Sequence, residues 1–142
     1  YIWKGLRIMG LGGCIRYNRE DTYQYTEKEM RRRARKLWFK AHRAGGIDLL
    51  LTHSPAAGLN DGNDRAHKGF ACFNDLLEEY QPKWFVHGHV HLSYNANLPR
   101  VCTHGQTTVI NATERYTFEI PDPDPVARKR FFWNDPAFPT KN

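Results

Sequence analysis

The chain has 142 residues, 40% of them hydrophobic and 25% charged, which is enough for one soluble domain with its own core. Its formal charge is +6, and no apolar run approaches the roughly 20 residues that a bilayer-spanning helix needs. The three cysteines, Cys14, Cys72 and Cys102, stand far apart and form no C-x-x-C pair, which excludes a local redox or zinc motif.

The cysteine pattern reads as reduced, buried thiols of a cytoplasmic protein, with a secreted disulfide protein as the alternative. Tyr1-Ile2-Trp3-Lys4-Gly5 has neither an initiator Met nor a signal-peptide pattern, so the chain is expected to be cut from something longer. The positive charge is concentrated in Arg31-Arg32-Arg33, Arg35-Lys36 and Arg128-Lys129-Arg130. These are read as solvated helix and tail faces, with attraction of anionic substrates or nucleic acid as the rival reading.

In chain order, Gly5-Leu6-Arg7-Ile8-Met9-Gly10 reads as a short strand, closed by the glycine turn Leu11-Gly12-Gly13. That turn lacks the third glycine and the prompt helix of a dinucleotide loop, so it is read as a plain turn. Residues Asp21 to Tyr25 read as a surface loop. Thr26-Glu27-Lys28-Glu29 is a capping box, in which the Thr26 side chain caps the helix and Glu29 reaches back. Met30, Ala34, Leu37, Ala41 and Ala44 then recur at helical spacing and form one apolar stripe. Gly45-Gly46 ends the helix, because glycine readily takes the left-handed cap conformation. His42 sits where a positive partner suits the helix dipole, a structural role.

Ile47-Asp48-Leu49-Leu50-Leu51 reads as a buried strand that ends in Thr52-His53, and residues 54–65 as a loop. Within that loop Asp64 has the position of a turn or helix-cap acid. His67 to Tyr80 reads as a second helix that buries Phe70, Phe73, Leu76, Leu77 and Tyr80. Trp84 to Gly88 is a second buried strand, giving a β-α-β unit with parallel strands and a right-handed crossover. Val101-Cys102, Thr107 to Asn111 and Arg115 to Ile120 read as short strands that finish the sheet in antiparallel fashion. The chain therefore divides into a domain over residues 1–120 and a Pro-rich tail over 121–142, in which Arg128 to Trp133 either packs back or stays loose.

Both buried strands run into histidine, and such strand ends are where open α/β sheets place their ligand sites. Side by side, they would bring His53, His89 and His91 into one crevice. His89 and His91 are two apart and would share a face of an extended chain, with Gly88 leaving room at the backbone. Imidazole is the commonest protein metal ligand, so the three suggest a metal centre; the rival is three polar residues finishing strands at a surface. His87 is expected to face the core or a carboxylate, and His104 to occupy a turn near the site. Asp61, Asn63, Asp64 and His67 read either as turn and helix-cap chemistry or as groups that gate the substrate or meet the leaving group, with His67 the foremost candidate for the second. Asn111 reads as structural, with orientation of a loop or a ligand as the rival.

Leu51-Thr52-His53-Ser54-Pro55 and Gly88-His89-Val90-His91 resemble the last two metal-binding motifs of the calcineurin-like metallophosphoesterases. Asp61, Asp64 and His67-Lys68-Gly69 between them look like the same family, and the resemblance runs over residues 5–120. The paired motifs at this separation are a specific signal, whereas G-H-x-H alone is weak. The family's earlier motifs, an Asp-x-His, a Gly-Asp and a Gly-Asn-His-Asp/Glu, are not in this sequence. The resemblance therefore implies the C-terminal half of a four-layer α/β/β/α sandwich with a mixed sheet.

It also implies phosphoester hydrolysis, of a phosphodiester in particular, by a hydroxide bridging two divalent ions of Mn, Fe or Zn. His53 and His89 would bind one metal and His91 the other, with His67 as the catalytic candidate and Asp64 and Asn111 as substrate contacts. Three imidazoles supply at most one ion from this chain alone, so the N-terminal half or a second chain is the expected partner, beside the phosphate ester. No membrane partner is expected. The alternative of another class is a non-catalytic protein that associates through an uncovered sheet, or whose basic helix, carrying Trp38 and Phe39, meets nucleic acid.

Overall fold

In the computed structural model, which describes residues 1–18, 22–94 and 97–121, the elements follow in this order. They are β1 (Ile2–Trp3), β2 (Leu6–Leu11), β3 (Cys14–Ile15), β4 (Gln24–Tyr25), α1 (Glu27–Ala44), β5 (Leu49–Thr52), α2 (Ala71–Tyr80), β6 (Trp84–His87), β7 (Val101–His104) and β8 (Thr107–Asn111). Six strands make one mixed sheet in the order β1-β2-β5-β6-β8-β7. The inner four are parallel, and β1 and β7 close the two edges antiparallel. This is the mixed α/β architecture with a β-α-β unit that the sequence suggests.

The sheet alternation sorts the core. Leu50 and Phe85 point to the face where both helices pack, with Met30, Ala34 and Ala41 of α1 and Phe73, Leu76 and Leu77 of α2. Leu49, Val86 and Ile110 point to the opposite face, which Trp84, Phe118 and Ile120 partly cover. On that second face Leu51, in the middle of the sheet, is 48% exposed.

The first helix forms as its sequence dictates. Thr26 Oγ1 accepts from the Glu29 backbone N–H at 3.3 Å, and Glu29 Oε2 accepts from the Thr26 N–H at 2.7 Å. Gly45 ends it at φ 81°, a left-handed value that suits glycine. Arg7 ties that end to the sheet, donating to the Gly45 carbonyl and to both oxygens of Asp48.

Five readings of the sequence are corrected. The second helix begins at Ala71, not His67: Gly69 lies against the Ala56 backbone and Phe70 bridges to Ala56, so residues 67–70 are spent on tertiary contact. Its first N–H groups are capped by Glu27 of α1, which accepts from Ala71 and Cys72 at 3.1 and 2.8 Å, and not by Asp64. Residues 115–120 join no strand; their alternation serves to seat Phe118 and Ile120 on the second face. The finish of the sheet is antiparallel only between β7 and β8, since β8 lies parallel to β6. Gln24–Tyr25 pairs with Cys14–Ile15 as a two-residue parallel ladder where a loop was expected. Asp21 and the Arg128 to Trp133 segment fall outside the described residues.

Candidate functional site

The C-terminal ends of β5 and β6 lie beside each other and carry the histidines. The ladder continues one step past the strands: His53 N–H donates to Leu11 O at 3.1 Å, and Gly88 N–H donates to His53 O at 3.0 Å. Buried Thr52 and Ser54 flank His53 and hold it, with Thr52 Oγ1 donating to Ser54 O at 2.5 Å and Ser54 Oγ to Gly13 O at 3.1 Å.

The strand β6 stops at His87, so His89 and His91 do not share a strand face. His89 has φ 68°, a left-handed conformation that swings its ring across to β5. There His53 Nε2 stands 3.0 Å from His89 Nδ1, with the ring centroids 4.7 Å apart. The other nitrogen of His89, Nε2, lies 2.8 Å from the Ala66 carbonyl. A carbonyl only accepts, so Nε2 carries the proton and Nδ1 presents its lone pair towards His53.

The loop between the strands is folded around the same point. Gly62 N–H donates to His67 O at 2.8 Å, and Asp61 Oδ2 accepts from Gly69 N–H at 3.1 Å. Asp64 Oδ1 accepts from the N–H groups of Ala66 and His67, which is the turn chemistry its sequence position suggests. Its Oδ2 meets His67 Nδ1 at 2.8 Å, and the His67 ring lies 5.1 Å from that of His89. His67, Asp64 and exposed His91 line a pocket of about 530 Å³ beside the pair, with Val90 and Leu98 as its apolar wall.

Asn111, at the end of β8, is fully buried, and its amide donates to the Val90 carbonyl at 2.7 Å. Thr113 Oγ1 donates to the same carbonyl at 3.0 Å, and the Thr113 N–H donates to Asn111 Oδ1 at 3.0 Å. The structure thus places Asn111 beneath the Gly88-His89-Val90-His91 turn. His87 points to the helix face, 1% exposed, with Nδ1 on the neighbouring Gly88 carbonyl and Nε2 without a partner among the described residues. His104, expected in a turn near the site, instead ends β7 and pairs with Thr107, at the opposite end of the sheet from His53 and His89.

Burial pushes the imidazoles of His89 and His87 below the ordinary histidine range, and partial desolvation does the same for His53. The other rings around His89 add to this, against the hydrogen bond that His89 donates to the Ala66 carbonyl. Neutral imidazole is the form that binds a metal. The hydrogen bond with His67 holds the Asp64 carboxyl below its ordinary value, so that Asp64 stays ionised.

The donor set fits a divalent ion at His53 and His89. Two imidazole nitrogens sharing a tetrahedral ion at about 2.0–2.1 Å each stand about 3.3 Å apart, close to the 3.0 Å between these two. Among the described residues no group of three His, Cys, Asp or Glu side chains is gathered tightly enough to hold one ion. Residue types and strand ends were legible in the sequence. The Ala66 carbonyl and Thr113, which orient His89 and its turn, were not; only the placement of Thr113 two residues after Asn111 hinted at a turn.

No family model matches the sequence. A UPF0046 protein of Caenorhabditis elegans is 38% identical over 73 residues, which is 46% of this chain and 24% of that protein. Metallophosphoesterase domain-containing protein 1 of Homo sapiens is 32% identical over 71 residues, 48% of this chain and 20% of the relative. Over about half its length the chain is thus similar to a UPF0046 protein and to a protein named for a metallophosphoesterase domain. The metallophosphoesterase likeness spans no more than a quarter of the length of these curated relatives. One solved crystal structure superimposes with a TM-score of 0.55 at 19% identity over 79% of this chain and 42% of its own, which is a likeness of fold.

Proposed function

We propose that this chain supplies the C-terminal ligands of a metal-dependent phosphoesterase that hydrolyses phosphodiesters. The observation that carries the reading is the His53–His89 pair: two neutral imidazoles with facing nitrogens 3.0 Å apart at adjacent parallel strand ends. His53 and His89 would hold one divalent ion (Mn, Fe or Zn), and His91, in the pocket beside them, would serve a second. When bound, such ions supply Lewis-acid charge for the phosphoryl oxygens and hydroxide at neutral pH.

The chain's own residues then do the following. His67 keeps Nδ1 on ionised Asp64, which leaves Nε2 as the nitrogen that exchanges a proton with the leaving oxygen. Asp64 acts through His67 by fixing its tautomer and ring plane. Val90 and Leu98 exclude water from that side of the pocket. The remaining ligands come from other residues of the complete protein or from a second chain. The exposure of Leu51 in the middle of the sheet supports a further layer over that face. Hydrolysis of bis(p-nitrophenyl) phosphate with added manganese tests the reading: His91→Ala in the complete protein is expected to abolish it, and unchanged turnover would sink the assignment.

The exposed Leu51, with Ile2 and Trp3 at the sheet edge, also favours a second reading, in which the chain associates through this face without catalysis. Sedimentation that shows a clean monomer rejects it.

A further inference from the structure

The geometry points to Asn111 and Thr113 as positioning residues for His89, acting through the Val90 carbonyl. The argument starts from a cost. His89 sits at φ 68°, a conformation that side-chain-bearing residues adopt only when their surroundings impose it. The residue after it is clamped: the Val90 carbonyl accepts from Asn111 Nδ2 at 2.7 Å and from Thr113 Oγ1 at 3.0 Å, all three buried. Both lone pairs of one carbonyl are thereby used by two side chains, one ending β8 and one just beyond it.

The clamp is itself fixed. Asn111 Oδ1 accepts from the Thr113 N–H at 3.0 Å, and the backbone N–H of Asn111 donates to Arg100 O at 2.9 Å. Since β8 pairs in parallel with β6, register places Asn111 directly opposite His87, where β6 gives way to the turn. The last strand of the sheet therefore sets the turn of the strand beside it. With Val90 held, the His89 backbone cannot relax to an extended conformation, and its ring keeps Nε2 on Ala66 and Nδ1 towards His53. This goes beyond a packing role, because the quantity the clamp controls is which imidazole nitrogen faces the site.

The part of the inference that concerns metal affinity rests on the phosphoesterase reading; the part that concerns ring orientation does not. The test is a long-range proton–nitrogen correlation spectrum of the histidine rings in this chain, for the wild type, Thr113→Val, Thr113→Ser and Asn111→Ala. The wild type and Thr113→Ser are expected to hold His89 in one neutral tautomer, protonated at Nε2. Thr113→Val should mix the two tautomers while the amide spectrum away from the turn stays native. A single Nε2–H tautomer in folded Thr113→Val overturns the proposal. If Asn111→Ala fails to fold, Thr113→Val decides alone, since it is nearly isosteric.

A parallel titration with zinc ion alone reads the second part: affinity at the His53 and His89 resonances should fall at least about tenfold in Thr113→Val and recover in Thr113→Ser. Wild-type protein whose His53 and His89 signals ignore zinc contradicts the metal reading, and the tautomer spectrum still decides the positioning role.

Discussion

The N–H of Gly62 donates to the carbonyl of His67 at 2.8 Å, and a Cβ built on Gly62 would stand 2.4 Å from the Cβ of His67. Glycine at position 62 is thus what allows the loop to close and His67 to turn towards the His89 ring. Any side chain there must push His67 away. For Gly62→Ala in the complete protein we expect phosphodiesterase turnover to fall by about 100-fold, the scale of an ångström-sized misplacement of a catalytic group. Thermal unfolding should move little, because the helix-to-sheet core lies elsewhere. Unchanged turnover would show that His67 takes no part.

Glu27 links the two helices. Its carboxylate lies in the first turn of α1 and accepts the first N–H groups of α2, a cap supplied from another element. Glu27→Ala should cost about 0.5–2 kcal/mol, the range for losing a helix cap, read as a lower urea midpoint at constant slope. Glu27→Gln, which keeps an acceptor oxygen, should lose less. Equal midpoints for the wild type and Glu27→Ala would contradict the capping role.

The buried imidazoles set the response to acid. His53, His87 and His89 titrate below 6.5 in the folded chain and near 6.5 once unfolded. Between those values the unfolded state binds more protons, so stability rises with pH. It is complete above about 6.5 and is lost as pH falls through the folded values. Asp64, also lowered, adds a loss only beneath its ordinary value of 3.8. Melting should therefore occur at a lower temperature at pH 5 than at pH 7.5, and His87→Gln should flatten the difference. A melting temperature that holds steady or rises towards pH 5 is the opposite result.

The contrast between α1 and α2 shows what the sequence carries. Everything that shapes α1 is local: Thr26, Glu29, the stripe through Met30 and Ala41, and Gly45 lie within one helix and one turn on either side. The start of α2 is set from afar, by Ala56 against Gly69 and by a carboxylate 44 residues away, so periodicity alone ran the helix too early. The same holds at the site. His53 was legible as a histidine at a strand end, because buried strands announce themselves by apolar runs, whereas His89 and His91 lie in the turn beyond β6. That His89 leaves the extended conformation to meet His53 was not legible, since the clamp responsible comes from Asn111 and Thr113 beyond the next hairpin. Residues 115–120 show the converse, an alternating pattern that satisfies one apolar face without joining a strand.

The measurement that bears most directly on the central claim is metal content together with hydrolysis, for the complete protein with and without His89→Ala. The wild type, dialysed against manganese, should retain two ions per chain and cleave bis(p-nitrophenyl) phosphate; His89→Ala should lose metal and rate together. A folded His89→Ala protein that keeps wild-type metal content and wild-type rate would contradict the account.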